Sequence, residues 1–130
     1  MLPFSIELRQ GLPVTEQIVY AVKKAVVTGQ MRPGDTFPSV RQLSQDLRIN
    51  PNTAHKVIAA LVQERVLVTT PAVGSVIAPP EEGNRRERAL LLGAELERTV
   101  VEAKRLGLTE EELRAGIETQ WEKLTPTPKK

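Results

Sequence analysis

Nine residues, RINPNTAHK from Arg48 to Lys56, hold most of the chemistry this sequence offers. Asn50 is a good helix N-cap and Pro51 suits the first helical position, where its missing N–H is not needed. Asn50, Asn52, Thr53, His55 and Lys56 therefore fall in the first turn and a half of a helix. Asparagine can pair with adenine through two hydrogen bonds, and the threonine methyl can meet that of thymine. A helix entering the major groove by its first turn brings such side chains to base edges while its N-terminus faces phosphate. Arg41, near the start of the preceding helix, and Lys56 could neutralise phosphates or reach guanine. A plainer reading fits the same residues: Asn50 and Thr53 cap a helix, and the rest is solvated surface.

Other chemistries find little support. His55 is the sole histidine, and no serine sits in a GxSxG-like context that would supply an activated nucleophile. One histidine, no cysteine and scattered carboxylates do not make a metal site. No glycine-rich phosphate loop is present. The runs EEGNRRER and EEE read as solvated linker and as acidic residues complementing a helix dipole. The sequence thus predicts a protein that is not an enzyme and takes no cofactor and no metal.

Charge is nearly balanced at +2 over 130 residues, but unevenly placed. Residues 1–78 carry 8 Lys/Arg against 5 Asp/Glu, and residues 79–130 carry 10 against 11. A mildly basic front and a mildly acidic back suit a nucleic-acid module with an interaction tail. No apolar run approaches the ~18 residues needed to span a bilayer, and MLPFSIELRQ has no signal-peptide pattern. The expected location is the cytoplasm, with no membrane partner.

The elements that must hold these residues follow from periodicity. Val14, Ile18, Val22, Ala25 and Val26 recur at helical spacing, and Gly29 is a suitable stop. Pro33-Gly34-Asp35 reads as a turn. Ser39 and Gln42 form a capping box for a short helix through Leu47, with Val40, Leu43 and Leu47 inward. The third helix runs from Pro51 to about Glu64, with Ala54, Val57, Ile58, Leu61 and Val62 on its buried side. VLVTT and SVIA, separated by PAVG, then read as a small hairpin, the first strand ending at Pro71. Three helices and a hairpin are the order of a winged helix-turn-helix domain, placed at residues 1–78.

Residues 79–83 read as a semi-rigid linker. Residues 84–124 are expected to form a helical dimerisation region. Its first, long helix aligns Leu92, Leu96, Val100 and Ala103 and stops at Gly107. Its second opens on a Thr109–Glu112 capping box and carries a stripe of Leu113, Ile117, Trp121 and Leu124. Two helices cannot enclose a core, so Leu92, Leu96, Val100, Leu113, Ile117 and Trp121 are expected to face a second copy of the chain. Residues 125–130 are expected to be a disordered tail. The fold class is mainly α with a small β-hairpin.

Two stretches, TGQMRPGDTFPSVRQLS (Thr28–Ser44) and NPNT (Asn50–Thr53) before VGSVI, resemble the GntR family of bacterial transcription regulators. The resemblance covers roughly residues 10–78, and the PGD-x-hydrophobic-PS-x-R run is its most specific part. The short helical tail resembles the YtrA subfamily, which implies dimerisation through the C-terminal helices and often repression of ABC-type transporter operons. By position, the resemblance puts Ser39 and Arg41 at the DNA-facing helix-turn-helix. Asn50, Pro51, Asn52 and Thr53 correspond to the recognition-helix tip, His55 falls where many relatives have arginine, and Gly74 and Ser75 match the wing tip. Arg48 stands where relatives usually have the turn glycine, adding a charge beside the DNA face, and with Arg41 and Lys56 it is a candidate to hold the DNA backbone or read a guanine. Arg65 replaces another common glycine. Thr70, Pro71, Ala72 and Val73 replace a commonly basic wing.

The expected function is a homodimeric, sequence-specific repressor that binds double-stranded operator DNA at an inverted repeat. The rival is a winged-helix protein-interaction module that has lost operator binding. The tail is too short for a separate effector domain, and the sequence names no effector.

Overall fold

The computed structural model describes residues 2–79 and 85–126. The chain divides into two compact units, Met1–Pro80 with Pro126–Lys130, and Glu81–Thr125.

The first unit is three helices and a hairpin: α1 (Val14–Val27), α2 (Val40–Leu47), α3 (Pro51–Gln63), β1 (Leu67–Thr70) and β2 (Gly74–Ile77). The inward positions of α1 are Ile18, Val19, Val22 and Ala25, so the apolar stripe is one residue wider than its spacing suggested. Leu43 of α2 and Ala54, Val57 and Leu61 of α3 meet it, and Met31, Phe37, Leu67 and Ile77 complete the core. α3 packs against both other helices, which makes it the central element of the unit. Fully burying a leucine or valine side chain contributes about 1.5–3 kcal/mol, so this cluster dominates the stability of the unit.

The helix ends at Gln63 with Glu64 as its C-cap, at the bound expected from sequence. The expectation for Val62 needs correction, since it is 37% exposed. Val62 follows Leu61, which is fully buried, and one residue is about 100° of rotation, enough to carry it out of the stripe.

The hairpin is antiparallel, pairing Leu67 with Ile77 and Thr70 with Gly74. It is also tied to the segment before α2. The Phe37 N–H donates to the Ser75 carbonyl (2.8 Å) and the Ile77 N–H to the Asp35 carbonyl (2.8 Å), with a bridge between Thr36 and Val76. β2 therefore has a partner on each side, and the PGDTFP stretch is structural as well as a turn. Phe4, from the N-terminal segment, stacks on Phe37 with ring centroids 6.0 Å apart. Gln17 anchors that segment further: its Oε1 accepts the Arg9 N–H (2.8 Å) and its Nε2 donates to the Arg9 and Leu12 carbonyls.

In the second unit, α4 (Arg85–Leu90) and α5 (Leu96–Arg105) are joined by a π-helical turn over Leu91–Glu95. This corrects the expectation of one regular helix. A wide i→i+5 turn takes up an additional residue, so side chains on either side of it leave a common 3.6-residue repeat. Leu92 and Leu96 are consequently not stacked as regular helical neighbours. α5 ends in a Schellman motif: the Gly107 N–H donates to the Lys104 carbonyl and the Leu108 N–H to that of Ala103, with Gly107 at φ +77°. α6 (Glu110–Leu124) opens on the complete Thr109–Glu112 capping box. Ala103 is the only described residue of this unit that is buried. The expected linker lies outside the described residues except for Pro79, and the expected tail except for Thr125 and Pro126.

Candidate nucleic-acid interface

α2 starts where Ser39, in extended conformation, accepts the Gln42 N–H on its Oγ at 3.1 Å. This is the N-cap half of the expected box; Thr109–Glu112 is the place where both halves form. Ser39, Arg41, Gln42 and Gln45 are exposed, while Leu43 points inward. The face of α2 that does not meet the core is thus polar and carries one cation, Arg41.

The turn to α3 is tight and has a specific geometry. The Arg48 N–H donates to the Gln45 carbonyl and the Ile49 N–H donates to the Ser44 carbonyl (3.0 Å). Arg48 lies in the left-handed region at φ 53°, ψ 49°. This is a Schellman ending with arginine at the position that glycine usually fills, at a cost of about 1 kcal/mol for the side chain. The same ending closes α3, where Arg65 has φ 62°. α1 and α5 end instead on left-handed Gly29 and Gly107.

α3 then begins as its residues dictate. Asn50 is extended and its Oδ1 accepts the Asn52 N–H at 2.8 Å, with Pro51 in the first turn. That bond has a chemical consequence. Two-bond pairing with adenine uses the amide oxygen as acceptor, and in Asn50 one lone pair of that oxygen is engaged by the cap. Asn52 is exposed as well. His55 and Lys56 are exposed beside it, one turn on, whereas Thr53 is half-buried. Ala59 and Gln63, also exposed, extend this outward stripe along α3. They were missed from sequence, although their spacing from Lys56 follows the same helical period.

The wing differs in kind. The Val73 N–H donates to the Thr70 carbonyl at 3.2 Å, closing a turn with Pro71 and Ala72 at its corners. Ala72 has φ 66°, a geometry for which glycine or asparagine is preferred. Gly74 follows at φ +96° and is exposed; Ser75 is half-buried and its carbonyl is committed to Phe37. No charged residue lies between Leu67 and Ile77.

Of the residues expected at a dimer interface, Leu92, Leu96, Ile117 and Trp121 are exposed, and Val100 and Leu113 half-buried. Leu92 is 70% and Trp121 76% exposed. Among the described residues there is no cluster of three or more metal-ligating side chains, and no helix is long and apolar enough to cross a membrane.

Three helices, a hairpin wing and a polar first turn on the central helix define a winged helix-turn-helix of the DNA-binding kind. Residues 14–77 match the model of the bacterial regulatory proteins of the gntR family. The chain is 30% identical over 113 residues to the HTH-type transcriptional repressor YtrA of Bacillus subtilis (strain 168), covering 86% of this chain and 87% of that protein. It is likewise 30% identical to the HTH-type transcriptional regulator YhcF of the same organism, over 87% of this chain and 93% of that protein. A crystal structure described as a transcriptional antiterminator from Listeria monocytogenes EGD-e superposes with a TM-score of 0.84 at 25% identity, covering 98% of this chain and 97% of the other. The chain belongs to the gntR family and is a YtrA-like, DNA-binding transcription regulator. Its relatives are regulators and not enzymes.

Proposed function

We propose that the protein is a homodimeric repressor that binds an inverted-repeat operator by the first turn of α3. The observation that carries this reading is the outward stripe of Asn52, His55 and Lys56 on a helix start whose own N–H groups are already capped by Asn50. Capping by Asn50 leaves the neighbouring side chains free for bases. Asn52, Thr53 and His55 read base edges, Arg41 and Lys56 hold phosphate or a guanine, and Ser39, Pro51, Gly74 and Ser75 bring backbone close to the duplex. The resemblance to a protein named as a repressor supports repression, and control of a transporter operon is proposed on the same ground.

Dimerisation is proposed from the arm. Large apolar side chains exposed along one short element mark an interaction surface, and a two-fold partner offers the same surface in return. Trp121 is the only tryptophan, so its fluorescence reports on the arm alone. Its emission is expected to move to the red on dilution as dimers separate; an emission already that of exposed indole and independent of concentration would remove the arm as the interface.

The test of DNA binding is selection of duplexes from a random-sequence pool, followed by titration at several salt concentrations. A palindromic consensus and a salt-dependent affinity are expected. Arg41→Ala should lower the salt slope by about one phosphate contact. The uncharged, exposed wing tip of Pro71, Ala72 and Val73 favours one other reading, a protein-interaction module without an operator. Failure to enrich any sequence would select it.

A further inference from the structure

Arg48 is anomalous in three ways at once. Its backbone is left-handed at φ 53°, where a Cβ is unfavourable. Its side chain is exposed, and makes no hydrogen bond or ion pair among the described residues. It stands in the turn two residues before Asn50, and two residues span at most about 7 Å, so its backbone lies close to the N-cap of α3. The molecule contains its own control. The same Schellman position is glycine at the end of α5, Gly107, and Gly29 takes the left-handed position after α1. Arg65, the arginine that ends α3, is engaged within the chain. Among the described residues, Arg48 alone combines an unfavourable backbone with a cation that has no partner there.

We infer that Arg48 is a phosphate anchor, gripping the DNA backbone beside the bases that α3 reads, and that it does so at the expense of the fold. The inference rests on the operator-binding reading above and gives Arg48 a single role within it, phosphate rather than guanine. The chemistry is charge-assisted hydrogen bonding from a planar guanidinium to phosphate oxygens, which positions the duplex without reading its sequence. A third cation, added to Arg41 and Lys56, also meets the electrostatic need that the uncharged wing leaves open. A cation near the C-terminus of α2 would also complement that helix's dipole. On that account alone, removing the charge would loosen the fold and leave DNA untouched, which is the opposite of the prediction.

The experiment uses the full chain, with a fluorescently labelled duplex selected on the wild-type protein and a scrambled duplex of equal length. Arg48→Gly removes both the charge and the Cβ. It is expected to leave Tm unchanged or raise it by roughly 2–5 °C. It should also raise Kd about tenfold on both duplexes and reduce the salt slope by ~0.9. Arg48→Lys keeps the charge and should retain the wild-type slope. A fall in Tm of more than about 4 °C would make Arg48 a structural residue and overturn the inference. So would wild-type binding by Arg48→Gly. A loss confined to the selected duplex with an unchanged slope would make Arg48 a base reader and overturn the phosphate assignment. If the wild-type chain shows no salt-dependent binding, operator binding and this inference fall together; if it binds and only the Arg48→Gly result is null, only this inference falls.

Discussion

The winged-helix unit and the helical arm obey the same local rules and end in opposite states. Both have capped helices and glycine stops, and both carry apolar residues at helical spacing. In the first unit those residues meet: Ile18, Val22, Leu43, Val57, Leu61, Leu67 and Ile77 are almost fully enclosed. In the arm, Ala103 is the sole buried described residue, and Leu91, Leu92, Leu106 and Trp121 are open. Amphipathicity therefore says that a face needs a partner but not where the partner lies. In the first unit the partner is another segment of the same chain, and in the arm it is proposed to be a second copy.

Three substitutions press on this contrast, in falling order of effect. Leu61→Ala should destabilise the winged-helix unit by about 2–5 kcal/mol, since it empties a fully enclosed site. Denaturant unfolding of the full chain measures it, and a loss below ~1 kcal/mol would mean that the core is looser than its burial implies. Trp121→Ala should have little effect on that unit but weaken self-association by about 2 kcal/mol or more, as a buried aromatic anchor does. Sedimentation across a concentration series tests it. An unchanged association constant would break the comparison, leaving the arm open for some other purpose. Thr109→Ala removes one bond of the capping box and should cost about 1 kcal/mol, confined to α6. Faster amide exchange in the first turn of α6, with the winged-helix unit unaffected, is the expected readout.

Much of this was legible from the sequence because it is local. The capping of α3 by Asn50 and of α6 by Thr109 depends on residues within three positions of one another. So does the stop at Gly107. The sequence-based site residues on α2 and α3, half-buried Thr53 apart, are exposed for the same reason: polar side chains at helical spacing opposite an apolar stripe have one face available. What escaped was register and competition. Val62 looked inward by composition, yet lies just outside the stripe that α3 turns to its neighbours. Asn50 and Asn52 look alike in sequence, yet Asn50 alone engages its oxygen in capping the helix. The π-helical turn at Leu91–Glu95 left no periodic signal, because its apolar residues also fit a regular helix.

By itself, then, the sequence determined the helices, their caps, the hairpin and the uncharged wing, since each follows from backbone preferences over a few residues. Tertiary structure decided the rest. It joined the segment 35–37 to β2 across about 40 positions of chain, through bonds that no local pattern encodes. It also held Arg48 in a left-handed turn because α2 and α3 must pack against each other and the chain between them has only a few residues to reverse. Local preference would have put glycine there; packing accepts the arginine, and leaves its charge facing outward at the start of α3.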